Sequence, residues 1–135
     1  MSSEQVYHLA VNIYYEDTDH SGVVYYANYL KYFERGREHA IGRDKLSHYW
    51  HELGVGFVVY KVELQYADGA VFGDVLDIRS RMEMEGKYRV NWYQEAWRMR
   101  DGEPLGVKPA VKGVVQMVCL DKNKQLVPIP EEILG

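Results

Sequence analysis

One aromatic segment constrains this chain more than any other part of its sequence. Residues 26–41 place apolar and aromatic side chains at spacings of three and four, which predicts a helix that ends at Gly42. The predicted helix face consists of Tyr26, Tyr29, Leu30, Phe33, Arg37 and Ala40. Such a face needs a large apolar surface to cover it, and the rest of a 135-residue chain must provide that surface.

The remainder of the chain is dominated by strand patterns. We predict strands over residues 6–14, 58–66, 75–84, 88–99 and 107–120, with a short helix or turn at 44–53. Short turn signals such as Asp101-Gly102 favour antiparallel pairing. The sequence therefore predicts one α+β domain over residues 1–135, in which a curved antiparallel sheet of about five strands wraps a long central helix.

Gly36 lies in the middle of the predicted helix, where glycine costs about 1 kcal/mol relative to alanine. Either the backbone of the sheet approaches closely at this point, or the glycine is exposed and uninformative. The sequence leaves both interpretations open.

The composition excludes several classes of function. The formal net charge is −4 and the sequence has no basic block, which disfavours nucleic-acid binding. No stretch reaches the roughly 20 apolar residues of a membrane span, and the N-terminus has no signal-peptide pattern, so we expect a cytoplasmic protein. The single cysteine, Cys119, lies in an apolar run, which favours a buried small hydrophobe over a nucleophile.

Two carboxylates, Asp17 and Asp19, precede the helix in a short polar segment that contains Gly22. The first backbone N–H groups of a helix have no intrahelical partner and stabilise a negative oxygen. A base or nucleophile beside such donors is the arrangement that acyl transfer requires. Paired aspartates in a turn are, however, more often caps and turn formers than catalysts.

Other site types fit these residues poorly. A calcium loop beginning at Asp17 needs glutamate at its twelfth position, where Asn28 stands. His20 has no second histidine or cysteine near it in sequence, and His48 and His51 are interpreted as surface residues. The sequence contains no serine nucleophile elbow and no phosphate-binding glycine pattern. We predict neither a metal nor a prosthetic group.

The segment D-T-D-H-S-G-V-V-Y-Y-A-N-Y, followed by E-R-G-R, resembles the signature of the 4-hydroxybenzoyl-CoA thioesterase and YbgC-type acyl-CoA thioesterase family. These are hot-dog fold proteins, and their length and order of elements match almost the whole chain. The resemblance implies that Asp19 is the catalytic carboxylate and that the backbone N–H of Tyr26 is the oxyanion donor. It implies a structural role for Asp17, and substrate contacts for Gly22 and Val23.

The resemblance also bears on the subtype. YbgC-type members usually carry histidine at the position of Tyr26, whereas the hydroxybenzoyl type carries tyrosine, as this chain does. Glu34 and Arg37 match the E-x-x-R of the family, and at this spacing they are expected to pair on the helix.

The resemblance implies an acyl-CoA substrate, with CoA as part of the substrate and no separate cofactor. The basic residues Arg79, Arg81, Lys87 and Arg89 are candidates for the CoA phosphates, or equally an ordinary solvated strand face. Family members form homodimers whose sheets join edge to edge, often paired again into homotetramers, with active sites between protomers.

We therefore predict an acyl-CoA thioesterase in which Asp19 acts as nucleophile or general base. One alternative is a thioesterase that acts on acyl-carrier-protein thioesters. Another is a non-catalytic acyl-CoA-binding protein of the same fold, and a hydratase fits less well.

Overall fold

A computed structural model of the chain describes residues 5–134, and its sheet accounts for about two-fifths of them. The strands are β1 (Tyr7–Asn12), β2 (Val55–Tyr66), β3 (Val75–Glu85), β4 (Arg89–Arg100), β5 (Glu103–Pro104), β6 (Val111–Asp121) and β7 (Leu126–Val127). The helices are α1 (Asn28–Ile41) and α2 (Arg43–His48), with a 3-10 turn at Tyr15–Asp17 and a π-helical turn at Tyr49–Leu53.

The sheet is antiparallel, in the order β1-β3-β4-β6-β2, and the two-residue strands β5 and β7 pair with β4 and β6. Helix α1 packs against β1, β3 and β4 on one side, which we call the inner face. Leu76 and Ile78 of β3 are fully buried there. The predicted arrangement, one long helix covered by an antiparallel sheet of about five principal strands, is therefore confirmed.

Most predicted element bounds are close to those observed. The Asp101-Gly102 turn joins β4 to β5, and both residues have positive φ angles, 52° and 80°, as a tight hairpin turn requires. The last long strand begins four residues later than predicted, at Val111. Its predicted first residue, Val107, is 98% exposed, and Pro109 has no N–H with which to extend the pairing.

The predicted helix face is only partly correct. Tyr29, Phe33 and Arg37 are buried as expected, but Tyr26 and Leu30 are 61% and 43% exposed. The buried face instead includes Tyr32, Gly36 and Ile41. The single predicted face therefore combines residues from two different surfaces of α1. One surface contacts the sheet, and the other is left uncovered by the chain itself.

Gly36 marks the closest approach between α1 and the sheet. A Cβ atom at this position would lie 2.9 Å from Ile78 Cγ2, 2.9 Å from Ser80 Oγ and 3.2 Å from Gln94 Nε2. Close approach is therefore the correct interpretation of this glycine, although inner-face side chains, not sheet backbone, are what it meets. Those side chains belong to a buried polar group in which Gln94 donates to Phe33 O and Ser80 Oγ, both at 2.8 Å.

The edge strand β2 is unusually apolar for an exposed element. Val58, Val59 and Val62 are 40–43% exposed, and the register against β6 shifts at Tyr60, which forms a β-bulge. Long exposed edges with apolar side chains are templates for pairing with another strand.

Two further expectations concern the interior and the membrane. Cys119 is fully buried, and burial raises the pKa of its thiol to about 11, which confirms a packing role. Within residues 5–134, none of the helices is long and apolar enough to cross a bilayer.

We expect Gly36→Ala to lower the free energy of unfolding by about 1–3 kcal/mol, because its methyl group overpacks the contact with Ile78 and Ser80. In an uncrowded helix the same change stabilises by up to about 1 kcal/mol. The sign of the change in unfolding free energy therefore distinguishes a crowded position from an open one. Urea denaturation measures the change. The matched control is Gly56→Ala in β2, where the nearest atom to a new Cβ is 3.4 Å away and a shift below about 1 kcal/mol is expected. A stabilised Gly36→Ala variant would contradict this account.

Candidate active site

The segment that carries the two aspartates folds as a small hairpin ahead of α1. The N–H of Tyr25 donates to Asp17 O at 2.9 Å, and the N–H of Asp19 donates to Val23 O at 2.9 Å. Gly22 closes the turn with a φ of 83°, a left-handed conformation that favours glycine. The hairpin therefore places Asp19 beside the residues that lead into the helix.

The two carboxylates have different surroundings. Asp17 Oδ2 accepts a hydrogen bond from the N–H of Tyr14 at 2.8 Å, and Asp17 O also accepts from the Asn28 side chain at 2.9 Å. These bonds tie Asp17 to the backbone on both sides of the hairpin. Asp19 is half-buried, and its Oδ1 accepts only the N–H of Ser21, at 2.8 Å, among the described residues. Asp19 thus keeps one carboxylate oxygen available for chemistry.

The start of α1 offers free backbone donors. The N–H of Asn28 donates to Tyr25 O at 2.9 Å, and no side chain caps the helix at Ala27. Within residues 5–134 the N–H groups of Tyr26 and Ala27 have no acceptor. Because these groups lie at the positive end of a 14-residue helix, they form an anion-stabilising position next to the hairpin.

The hairpin is fixed in place by the segment between β2 and β3. The N–H of Val24 donates to Ala70 O at 2.8 Å, and Val23 pairs with Val71 in an isolated bridge. A Cβ on Gly69 would lie 2.9 Å from Val23 Cγ1, so only glycine permits this contact. Val23 therefore serves first as a packing residue for the loop.

One arginine holds that anchoring segment. Arg98 donates to Asp68 and to the buried Asp74, each at 2.9 Å. Its hydrogen bond lowers the pKa of Asp68 from the usual value. No sequence pattern singled out these three residues as part of the site. The only signal was the pair of turn-forming dipeptides, Asp68-Gly69 and Gly73-Asp74, that bracket the segment.

Aromatic rings surround the helix start. The ring of Tyr26 lies 4.9 Å from that of Tyr25 and 6.2 Å from that of Tyr66, and the Tyr66 hydroxyl donates to Tyr26 O at 3.2 Å. A hydrogen bond to the Tyr26 side chain, with a smaller contribution from the charge of Asp19, raises the pKa of Tyr25. The surface near Asp19 is therefore aromatic, with exposed rings that an apolar group can contact.

The predicted cationic residues do not gather at this position. Arg79 and Arg81 lie on the outer face of β3, opposite α1. Arg79 pairs with Asp77 at 2.9 Å and stacks on Trp97, while Arg81 stacks on Tyr93. Both guanidinium groups are thus engaged on the far side of the sheet from Asp19.

Lys87 and Arg89 lie at the β3–β4 turn, at the opposite end of the sheet. The intervening strand β3 has 11 residues and is therefore about 35 Å long. Arg89 donates to the Tyr60 hydroxyl at 3.4 Å and lies 3.8 Å from Glu85. Within one chain, neither residue reaches the hairpin.

The expected Glu34–Arg37 pair does not form within salt-bridge distance in the described residues. Arg37 instead donates to Gln94 Oε1 at 3.0 Å in the interior. Residues 5–134 also contain no group of three or more histidine, cysteine, aspartate or glutamate side chains placed to hold a metal ion.

Sequence comparison gives two kinds of match. The sequence profile of the thioesterase-like superfamily matches residues 14–135. The acyl-CoA thioesterase YbgC of Helicobacter pylori is 37% identical over 97 residues, covering 72% of this chain and 71% of that protein. The acyl-CoA thioesterase YbgC of Haemophilus influenzae is 30% identical over 126 residues, covering 91% and 88%.

Structure comparison agrees. A probable thioesterase from Bartonella henselae superposes with a TM-score of 0.81 at 25% identity, covering 93% of this chain and 100% of that one. A 1,4-dihydroxy-2-naphthoyl-CoA thioesterase from Synechocystis superposes with a TM-score of 0.83 at 15% identity, a likeness of fold alone that covers 96% of each chain. The predicted family and its hot-dog fold are confirmed. By its profile match and its relatives, the chain belongs to the thioesterase-like superfamily.

Proposed function

We propose that this protein is an acyl-CoA thioesterase whose reacting groups are the Asp19 carboxylate and the backbone N–H of Tyr26. One observation carries the proposal: a carboxylate with an unoccupied oxygen stands in a hairpin that leads directly to the free N–H groups of a helix start. Membership of the thioesterase-like superfamily supports the same reaction class.

In the proposed mechanism the thioester carbonyl oxygen accepts a hydrogen bond from the Tyr26 N–H, at the positive end of α1. Negative charge develops on that oxygen during attack and is stabilised there. Asp19 then acts in one of two ways. As a general base it takes a proton from water, and the resulting hydroxide adds to the carbonyl carbon. As a nucleophile it forms a mixed anhydride, which water hydrolyses.

In both routes the C–S bond breaks, the CoA thiolate leaves and takes up a proton, and the free acid is released. The proposal uses only groups of the chain and water, with no metal or prosthetic group. Gly22 shapes the turn and Val23 fixes it, so we assign them to positioning of the site rather than to direct chemistry.

We further propose that two copies of the chain pair through β2. Val59 of β2 lines a cavity together with Arg37 of α1, and Tyr66 contacts Tyr26, so this edge strand runs beside the side of α1 on which Tyr26 and Leu30 are exposed. A partner strand along β2 would cover both. Antiparallel pairing of the two 12-residue strands in full overlap sets residues 55–59 of one subunit opposite residues 62–66 of the other. Val55 then lies beside Tyr66, which contacts Tyr26.

For the CoA phosphates, Lys87 and Arg89 remain the candidates we favour over Arg79 and Arg81. The latter two guanidinium groups already stack on aromatic rings of the outer face. Lys87 and Arg89 lie in and beside an exposed turn, where a phosphate has access.

We expect Asp19→Asn to lower kcat/KM on acyl-CoA substrates by at least about 100-fold, roughly 3 kcal/mol in the barrier, because the amide is neither base nor nucleophile. A free-thiol assay with a panel of acyl-CoAs measures it. The matched control is Asp17→Asn, whose amide oxygen still accepts the N–H of Tyr14, and which should retain most activity. Full turnover by a folded Asp19→Asn variant would remove Asp19 from the mechanism. Thiol release only from carrier-protein thioesters, or binding without release, would favour the alternative functions.

The Tyr26 assignment predicts that the backbone matters and the hydroxyl does not. We expect Tyr26→Phe to keep kcat within about threefold of the wild type. Tyr26→Pro removes the N–H at the second position of the Tyr25–Asn28 turn, where proline is common, and should lower kcat by about 100-fold or more. Thermal melts establish that both variants fold. A Tyr26→Pro variant with near-normal kcat would exclude this amide as the oxyanion donor.

The pairing through β2 predicts a mass of two or four times 15.8 kDa in light scattering. We expect Val62→Lys to give monomers with little activity, because it buries an ammonium group in the shared edge. Ala10→Lys, on the opposite edge strand β1, is the control and should keep the wild-type mass. A monomeric wild type, or an oligomeric Val62→Lys variant, would contradict pairing through this strand.

A further inference from the structure

A concave surface lies at the C-terminal end of α1, away from Asp19. It is a cavity of about 280 Å³ beside the first half of β2, which we call the Arg37 cavity. Its apolar wall consists of Ile41, Leu46, Trp50, Phe57, Val59 and Met117. The π-helical turn holds the Trp50 ring 3.4 Å from the position of a Cβ on Gly56, so the edge of the ring lies against the strand. The volume is near the lower end of small-molecule sites, about 300 Å³.

The cavity contains one buried cation. Arg37 is only 8% exposed, and its guanidinium carries five N–H donors. Among residues 5–134 its only hydrogen-bond partner is Gln94 Oε1, at 3.0 Å, and it has no carboxylate within 4.0 Å. Gln94 is itself fixed by its bonds to Phe33 O and Ser80 Oγ, so it holds Arg37 in one orientation.

A buried guanidinium with unused donors is costly unless an acceptor reaches it. Burial lowers the pKa of Arg37 to about 10, with a partial offset from Glu34, so the group stays charged at neutral pH. Glu34 and Glu38 also line the cavity, and both are exposed. Their charges oppose an anionic guest, whereas a neutral oxygen meets no repulsion.

The cavity adjoins the proposed reaction site across the β2 pairing. Its β2 residues, 55–57 and 59, belong to the half-strand that lies beside Tyr66 and Tyr26 of the partner subunit in that arrangement. An acyl group whose carbonyl lies at one subunit's Tyr26 can therefore extend into the other subunit's Arg37 cavity.

Resting on the proposed function, we propose that Arg37 is a specificity-determining residue. Its guanidinium donates to a neutral oxygen, a hydroxyl or carbonyl, at the far end of an acyl group whose apolar body contacts Trp50 and Phe57. Substrates of this class are preferred over purely hydrocarbon acyl groups of the same size.

The test compares isosteric substrate pairs that differ only in this oxygen. The pairs are 6-hydroxyhexanoyl-CoA with heptanoyl-CoA, and 4-hydroxybenzoyl-CoA with 4-methylbenzoyl-CoA. For the wild type we expect kcat/KM to favour the oxygen-bearing member of at least one pair by about tenfold or more. Arg37→Met should abolish this preference. Arg37→Lys keeps a charged donor and should retain part of the preference for the oxygen-bearing substrate. If Arg37→Met does not fold, the preference measured for Arg37→Lys tests the role of Arg37.

The outcomes separate this proposal from the one on which it rests. Equal hydrolysis of both members of both pairs by the wild type, or an unchanged preference in Arg37→Met, overturns the role of Arg37 and leaves the thioesterase assignment intact. Failure to hydrolyse any acyl-CoA overturns both. Adipoyl-CoA, with a terminal carboxylate, should be a poorer substrate than 6-hydroxyhexanoyl-CoA because of Glu34 and Glu38. The reverse order overturns the preference for a neutral oxygen.

Discussion

The contact between α1 and the inner face at Gly36 is the constraint on which the rest of the structure depends. The absence of a side chain there lets the helix approach Ile78 and Ser80, and a larger residue would push it outward. The same approach lets Gln94 reach the carbonyl of Phe33. This one short polar contact fixes the distance of the helix from the sheet and its rotation about its own axis. This contact therefore sets the positions of both ends of α1. One end carries the free N–H groups near Tyr26, and the other end borders the Arg37 cavity.

The aspartate hairpin depends on a second, independent set of contacts. Its position is set by backbone bonds to the segment between β2 and β3, and that segment is held by the pairing of Arg98 with Asp68 and Asp74. The Asp19 side chain adds only the local bond from the N–H of Ser21, whereas Asp17 is bonded to both Tyr14 and Asn28. A carboxylate with few structural obligations beside a well-fixed helix start is what pre-organised catalysis requires.

The sequence pattern predicted the sheet and the central helix because each depends on a short repeating pattern. It placed Asp19 in a polar loop ahead of the helix and did not predict the hairpin that this loop forms. It failed where tertiary contact decides. The helix periodicity could not tell residues covered by the sheet, such as Phe33, from Leu30, which the chain leaves exposed. The spacing of Glu34 and Arg37 indicated an ion pair along the helix, but Arg37 donates to Gln94 in the interior instead. Basic residues that are close in sequence, Arg81 and Lys87, prove to lie on the outer face of a strand and in the turn that follows it.

The bulge at Tyr60 has a consequence for symmetry. Side chains opposite each other in an antiparallel pair project from the same face. On β2 the inner face carries residues 55, 57 and 59 before the bulge, but 62, 64 and 66 after it. When two copies of this strand pair across the bulge, an odd-numbered residue must face an even-numbered one. The two-fold axis that relates the two strands must then pass between two successive residues of β2 rather than through one residue. The permitted pairing registers of the two strands differ from one another by two residues.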